Sequence, residues 1–434
     1  MEQVIGMFFR MGLVQMAGNS VYWEGDTSYK PVAEVMSRNR FQTLLRYTHF
    51  VDNLVVSAEE KKDKLWKIRP WLNNLKQNFL IITPEEHNSV DEMMVPYKGR
   101  TSGIKQYIRG KPHPWGFKIG GRTTITGILC DFDVYQGVDG SRSEFGQGAD
   151  VVLKLCDSLP SHHNYKVYAD NFFTSVPLIE KLLERGIHYV GTVRPNRLPG
   201  CVLKTEKELR TSGRGSFDLR VETSSNITAV RWFDSKAVTL LSTYVSAEPV
   251  NKAKRWDKKL KNYVTIDKPA IVHEYNQFMG GIDLLDSLLA KYRYRMKSKR
   301  WYMYLFWHSL MIAVVNAWLM YRRDCRSLQL PKSSVLNRRR FQAEVASCLI
   351  SVNATKKRGR PSIDEAPAKV LRVIHNGPCE DIRKDSFAHW PVKDTKRGRC
   401  KVCKKNQTNT LCEKCDVRLC FTEERNCFRS FHIH

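Results

Sequence analysis

The stretch Tyr165-Lys166-Val167-Tyr168-Ala169-Asp170-Asn171-Phe172-Phe173-Thr174-Ser175 restricts the fold more than any other in this chain. An apolar, β-prone run ends on an acidic residue, and a Thr/Ser pair then leads into the helical pattern of residues 176–183. That places Asp170 at the carboxyl end of a buried strand. From there a carboxylate can project off a rigid sheet into a cleft, where an oxygen-preferring cation such as Mg²⁺ would neutralise it. An Asp that only caps the next helix fits the same residues. What separates the two readings is whether other carboxylates converge on Asp170.

Two further acidic positions stand in suitable contexts. Asp91 lies in the strand-like run Ser89-Val90-Asp91-Glu92-Met93-Met94-Val95-Pro96-Tyr97, and Asp283 and Asp286 lie in Gly280-Gly281-Ile282-Asp283-Leu284-Leu285-Asp286. Three residues apart, Asp283 and Asp286 share one helix face, and the Gly pair lets the helix start pass close to a neighbouring sheet. Favourable placement of both near a helix N-terminus is the structural alternative. Between these positions the chain reads as a meander of short strands (104–108, 115–119, 123–130), a helix near 151–159, the Asp170 strand, a helix ending near Gly186 and a strand at 187–193. This is a mixed α/β layer with acidic residues on two strands. Asp91, Asp170, Asp283 and Asp286 together would line one cleft able to hold two Mg²⁺ ions, roughly 4 Å apart, for in-line phosphoryl transfer on a nucleic-acid backbone.

Charge points to the same class of partner. There are 71 Lys and Arg against 44 Asp and Glu, a formal net charge of +27, and the basic residues fall in blocks. That surplus favours a polyanion, either nucleic acid or an acidic membrane surface. Residues 301–321 contain no Asp, Glu, Lys or Arg and approach bilayer-spanning length, but His308, Ser309 and Asn316 within them favour a buried core helix, and no membrane is expected. The start has no charged, apolar leader of the secretory type, so the 12 Cys are expected as thiols or metal ligands.

Six of those 12 Cys crowd the tail, as Cys400-x₂-Cys403, Cys412-x₂-Cys415, Cys420 and Cys427, with His432 and His434 after them. Paired knuckles of this kind match tetrahedral zinc, and so short and polar a segment would draw its folding energy from metal. Eight candidate ligands suffice for two Zn²⁺ in an interleaved arrangement, whose pairing spacing alone leaves open. The preceding Pro-, Lys- and Arg-rich stretch reads as a flexible linker. Its Arg358-Gly359-Arg360-Pro361 core resembles an AT-hook, a flat cationic segment suited to a narrow minor groove. A nuclear localisation signal or a plain basic linker fits it equally.

The chain resembles the piggyBac transposases and the host proteins derived from them. The residues that carry the resemblance run in family order through segments 90–100, 111–118, 169–175, 191–194 and 280–286, then Arg300-Trp301 and the cysteine-rich tail. The resemblance implies an α/β fold: an RNase H-like catalytic core with an inserted β-rich subdomain, a helical flanking region and a C-terminal zinc-binding cysteine-rich domain. By that pattern residues 1–88 form a helical dimerisation and DNA-binding region, expected to be N-terminally incomplete. Residues 89–195 and 263–323 form the two parts of the core, around a β-rich insertion at 196–262. Residues 324–350 return to the helical region, 351–395 are the basic linker, and 396–434 the zinc domain. The catalytic triad falls on Asp91, Asp170 and Asp283, with Asp286 additional. Double-stranded DNA, a homodimer, a nuclear location, and cutting and joining at TTAA sites follow as expectations. A catalytically silent DNA-binding regulator on the same fold is the alternative.

Overall fold

The computed structural model describes residues 1–100, 103–110, 113–137, 145–352 and 380–433. They fall into two compact units, divided within the undescribed stretch 353–379.

The first unit begins with four helices, α1 (Glu2–Leu13), α2 (Lys30–Ala33), α3 (Arg38–Tyr47) and α4 (Arg69–Leu80). Helix α3 starts where the Ser37 side chain accepts a hydrogen bond from the Arg40 backbone N–H, a conventional N-cap. The sheet follows. Its strands are β1 (His87–Pro96), β2 (Gln106–Tyr107), β3 (Trp115–Thr124), β4 (Leu129–Val134), β5 (Lys166–Ala169), β6 (His188–Thr192), β7 (Phe217–Glu222), β8 (Ile227–Phe233) and β9 (Ala237–Ser242). The spatial order is β2-β3-β1-β5-β6-β9-β8-β7, and β4 also pairs with β3. The trio β1, β5 and β6 is parallel, with antiparallel neighbours on both sides.

Helices α5 (Gln147–Cys156) and α6 (Val176–Glu184) carry the chain over one sheet face, as parallel pairing requires. There Val90, Val167 and Ala169 pack against Val152, Leu155, Ile179 and Leu182. A short helix, α7 (Glu206–Ser212), opens with a capping box between Thr205 and Glu208. Beyond it, β7, β8 and β9 do not stand apart: β9 pairs antiparallel with β6, so these strands of segment 196–262 extend the central sheet. Only the hairpin of β10 (Asn251–Asp257) and β11 (Asn262–Lys268) forms a separate two-stranded sheet.

The second face of the sheet carries α8 (Ala270–Phe278), α9 (Gly281–Ala290) and α10 (Trp301–Ser327), and α11 (Arg338–Ser351) closes the unit against α1. Helix α10 is apolar and long enough to cross a membrane by length and composition, yet it is buried within the protein. Its polar residues explain how. The Asn316 side chain accepts from the Leu129 backbone N–H at 2.9 Å and donates to the Leu129 carbonyl at 2.8 Å, and Ser309 Oγ accepts from Trp71 Nε1 at 2.8 Å. Buried polar groups paired in this way belong to a protein core.

The second unit holds α12 (Glu380–Arg383), the sheet of β12 (Pro391–Arg399), β13 (Gln407–Cys412) and β14 (Val417–Arg418), the pair β15 (Phe421–Thr422) and β16 (Arg425–Asn426), and α13 (Cys427–Ile433). Its first strand thus starts ahead of the expected boundary at 396. The core is small: Val417, Leu419, Phe428 and Phe431 pack with Cys400, Cys412, Cys415 and Cys420.

Candidate active site and metal-ligating clusters

Strand register positions the first two carboxylates. Val90 pairs with Ala169, and Ala169 with Gly191, across the parallel strands β1, β5 and β6. One residue further along each strand stand Asp91, Asp170 and Thr192. Neighbours in parallel register point to the same face, with strands roughly 4.8 Å apart. Ser89 and Asp91 also share that face, by the period of two, and Ser89 is where α9 lands. A Cβ on Gly281 would sit 2.5 Å from Ser89 Oγ and 2.3 Å from Thr123 Oγ1, so only glycine admits the helix there. Gly280 has open space around it, so the close approach rests on one glycine of the pair. Two residues past Gly281, Asp283 occupies the first turn of α9, where the helix dipole favours an anion.

Tyr275, on α8, lies in the field of these acids. Its phenol lies above the usual tyrosine value: burial raises it most, a hydrogen bond with the Thr192 side chain offsets part of the rise, and Asp170, Asp91 and Asp283 add to it. All three carboxylates therefore lie within electrostatic range of one hydroxyl. Asp286, one turn beyond Asp283, acts on the guanidinium of Arg293, whose own value is lowered chiefly by burial.

Asp170 does not cap α6, whose N-cap is Ser175. Instead one Asp170 oxygen accepts from the Phe172 backbone N–H at 2.8 Å, and the Asp170 carbonyl accepts from Thr174 Oγ1 at 2.8 Å. Arg197 braces the same turn by donating to the carbonyls of Asn171, Phe172 and Thr174. The turn is thus held from behind, which leaves Asp170 on the same side of the sheet as Asp91.

The second unit brings its ligands together in two groups, His389 with Cys412, Cys415 and His432, and Cys400 with Cys403, Cys420 and Cys427. Within each group the ligand atoms all lie within 4.8 Å of one another, so each could hold a metal ion. The groups interleave along the chain. His434 lies outside the described residues, as do Arg358 and Arg360; among the described residues, His389 supplies the eighth ligand. In the first group His389 Nδ1 is 3.5 Å from Cys412 Sγ and 3.3 Å from Cys415 Sγ, and His432 Nε2 is 3.5 Å from Cys415 Sγ. The far nitrogens are also engaged: His389 Nε2 pairs with Asp385 Oδ1 at 2.9 Å and His432 Nδ1 with the Phe428 carbonyl at 2.7 Å. Such outer partners fix which ring nitrogen faces a metal. Burial first, and crowding by neighbouring thiols next, push Cys415 and Cys420 up to about 12, whereas the Asn406 backbone N–H leads in drawing Cys403 down to about 6. Thiols packed this closely need a cation before they can ionise together.

Sequence reasoning missed four of these residues. Tyr275 and Arg197 carry no chemical signature in their segments, Thr192 appears only inside a longer resembling stretch, and His389 stands well ahead of the first CxxC pair.

Residues 1–318 match the family described as Transposase IS4. Among human proteins, the chain is 33% identical over 422 residues to PiggyBac transposable element-derived protein 3, covering 96% of this chain and 67% of that one. To PiggyBac transposable element-derived protein 2 it is 33% identical over 438 residues, covering 99% and 69%. A piggyBac transposase, solved by cryo-EM as a synaptic complex with hairpin DNA, superposes with a TM-score of 0.70 over 96% of this chain and 87% of its own, at 22% identity. The chain belongs to the piggyBac transposase family.

Proposed function

We propose that this chain is a piggyBac-type DNA transposase, or a descendant of one, that binds double-stranded DNA and cuts and joins its strands at TTAA sites. The observation that carries the proposal is the register that sets Asp91 and Asp170 side by side on one face of the parallel strands β1 and β5, with Asp283 in the first turn of the helix that Gly281 seats on Ser89. The order β4-β3-β1-β5-β6, in which three antiparallel strands are followed by two that run parallel to β1, fits the RNase H-like core that the resemblance implies and so supports the reading. Asp91, Asp170 and Asp283 would hold two Mg²⁺ between them, with Asp286 as a further acid. The bound ions would supply positive charge at the attacking and leaving oxygens of an in-line displacement. A homodimer follows from the need to pair two DNA ends, and the nucleus from the substrate.

Zn²⁺ is the proposed metal of the cysteine-rich unit, one ion to each group. Tetrahedral zinc with bonds of about 2.3 Å to sulfur and 2.0 Å to nitrogen separates its ligands by roughly 3.5 to 3.8 Å. The sulfur–nitrogen separations of 3.3 to 3.5 Å and the Cys403–Cys420 sulfur separation of 3.9 Å agree with that.

The test is strand cleavage of a labelled duplex carrying piggyBac-like terminal repeats and TTAA, with Mg²⁺, by the chain and by Asp170→Asn. Cleavage by the parent alone supports a carboxylate-metal nuclease. Tight binding by both with cleavage by neither would leave a silent DNA-binding regulator, in line with relatives named as transposable element-derived.

A further inference from the structure

The β10–β11 hairpin is built as a two-faced ribbon. Its inner face is anchored: Ala253, Val264 and Ile266 pack into the cluster beneath α8, Trp232 Nε1 donates to the Asp267 carbonyl at 2.9 Å, and Arg255 Nε donates to Asp234 Oδ2 at 2.9 Å. Its outer face does not contribute to the core. Trp256 and Tyr263 are register partners on that face, 51% and 66% exposed, with ring centroids 5.2 Å apart at 72°. Lys254 is exposed beside them, and Lys258, Lys259 and Lys261 are exposed on the turn. The two acids of the hairpin are engaged locally. Asp267 pairs with Lys252, and Asp257 accepts from the backbone N–H groups of Lys259 and Leu260.

A cross-strand aromatic pair stabilises a hairpin by about 0.2 to 1 kcal/mol, which accounts for the contact but not for two large rings left in water among four lysines. A second exposed pair, Tyr107 and Trp115, shows the contrast: Lys105 Nζ lies 4.6 Å over the Trp115 ring. Among the described residues, no cation covers Trp256 in this way. Open rings beside exposed cations fit a strand whose bases are unpaired, because every base offers a face for stacking and every linkage a phosphate. Stacked duplex offers no such free faces along its length.

We propose that the outer face of β10–β11 binds nucleic acid at unpaired nucleotides, with Trp256 and Tyr263 stacking on bases and Lys254, Lys258, Lys259 and Lys261 taking phosphates. The inference rests on the DNA-binding reading above and adds to it a surface for melted or displaced strand.

The experiment measures Kd for labelled oligo(dT) and for a duplex of equal length at one salt concentration, using the whole chain. The double variant Trp256→Ala/Tyr263→Ala should weaken oligo(dT) binding about tenfold for each stacked base and leave duplex binding within twofold. Trp256→Phe should hold near the parent, whereas Trp256→Leu should not. Lys258→Gln with Lys259→Gln should lower the salt dependence for oligo(dT) and leave that for the duplex near the parent's. Unchanged oligo(dT) affinity in the double variant, or competition by poly-glutamate as strong as by oligo(dT), overturns the proposal. So does duplex binding by the parent without oligo(dT) binding, a result that leaves the DNA-binding reading intact. Binding of neither ligand sinks both.

Discussion

The carboxylate cleft and the cysteine-rich unit both carry side chains able to ligate metal, but they hold them in opposite ways. Asp91 and Asp170 extend from strands whose apolar neighbours Val90 and Ala169 are wholly buried in a core that contains no ligand. In the second unit the ligands are the core: four of its eight buried apolar-class residues are cysteines. A site of the first kind exists before any metal arrives and can keep its shape without one. A site of the second kind and its fold form together.

Chelation should separate the two most sharply. A strong chelator is expected to unfold residues 380–433, since structural zinc supplies roughly 10 kcal/mol or more to modules of this size, while residues 1–352 keep their structure. Limited proteolysis followed by mass spectrometry would read this as selective loss of the tail, and equal sensitivity of both units would erase the distinction. His389→Ala sharpens it, with bound zinc expected to fall from two ions per chain to one. Two ions retained in that variant would return the eighth ligand to His434.

Next in size is the hinge between cleft and sheet. Gly281→Ala drives a methyl into Ser89, Thr123 and the Thr124 carbonyl, which should cost about 3 kcal/mol in the first unit. It should also displace Asp283, and so reduce cleavage beyond what the loss of stability explains. Chemical denaturation of the first unit, paired with cleavage by the still-folded fraction, separates the two effects.

The first unit does without metal for its fold, but it is exposed to protons. Burial pushes His308, on α10, down to about 3, with Arg293 adding to the shift, and its Nε2 is buried without a hydrogen-bond partner. The folded value lies below the unfolded one of about 6.5, so the unfolded chain takes up the proton first as pH falls. Stability is therefore full above pH 6.5 and lost as pH falls below it. Between pH 7 and pH 5 this one group should remove about 2 kcal/mol. His308→Leu should flatten that part of the pH profile of urea unfolding, and an unchanged slope would mean that other groups carry it.

How much of this was legible depended on how local the signal was. The Asp170 strand and turn could be read because an apolar run, an acid and a helix start lie side by side in the chain. Asp91, Asp170 and Asp283 could be gathered as acids in suitable contexts, but their catalytic roles came from the family resemblance and their register was not legible, since it is set by pairings between distant segments. The attachment of β9 to β6 left no trace for the same reason: a Ser- and Thr-rich segment with β-like runs looks alike whether it pairs with itself or extends a neighbouring sheet. Tyr275 sits in an ordinary helical pattern, and nothing in the sequence says which turn of α8 will face the acids. His389 stands apart from the close ligand pairs in the chain, and only the pairing of β12 with β13 folds it back onto the second CxxC.

The glycine pair gives the smallest and cleanest test of where the cleft's tolerance ends. Both glycines looked equally suited to a close approach, yet a Cβ on Gly280 meets no atom within 4 Å, and its backbone, at φ −78°, is open to any residue. Gly280→Ala should therefore cost only about 0.5 kcal/mol, the difference between glycine and alanine at an N-cap, and leave cleavage near that of the parent. Since the two substitutions add the same methyl to adjacent residues, composition cancels between them, and helix propensity, which favours alanine at Gly281 and disfavours it at the Gly280 N-cap, would by itself make Gly281→Ala the milder change. What remains is the distance from α9 to Ser89 and Thr123. Equal effects of the two substitutions on unfolding would mean that α9 does not rest on β1 and β3 through Gly281, and the placement of Asp283 beside Asp91 would fall with it.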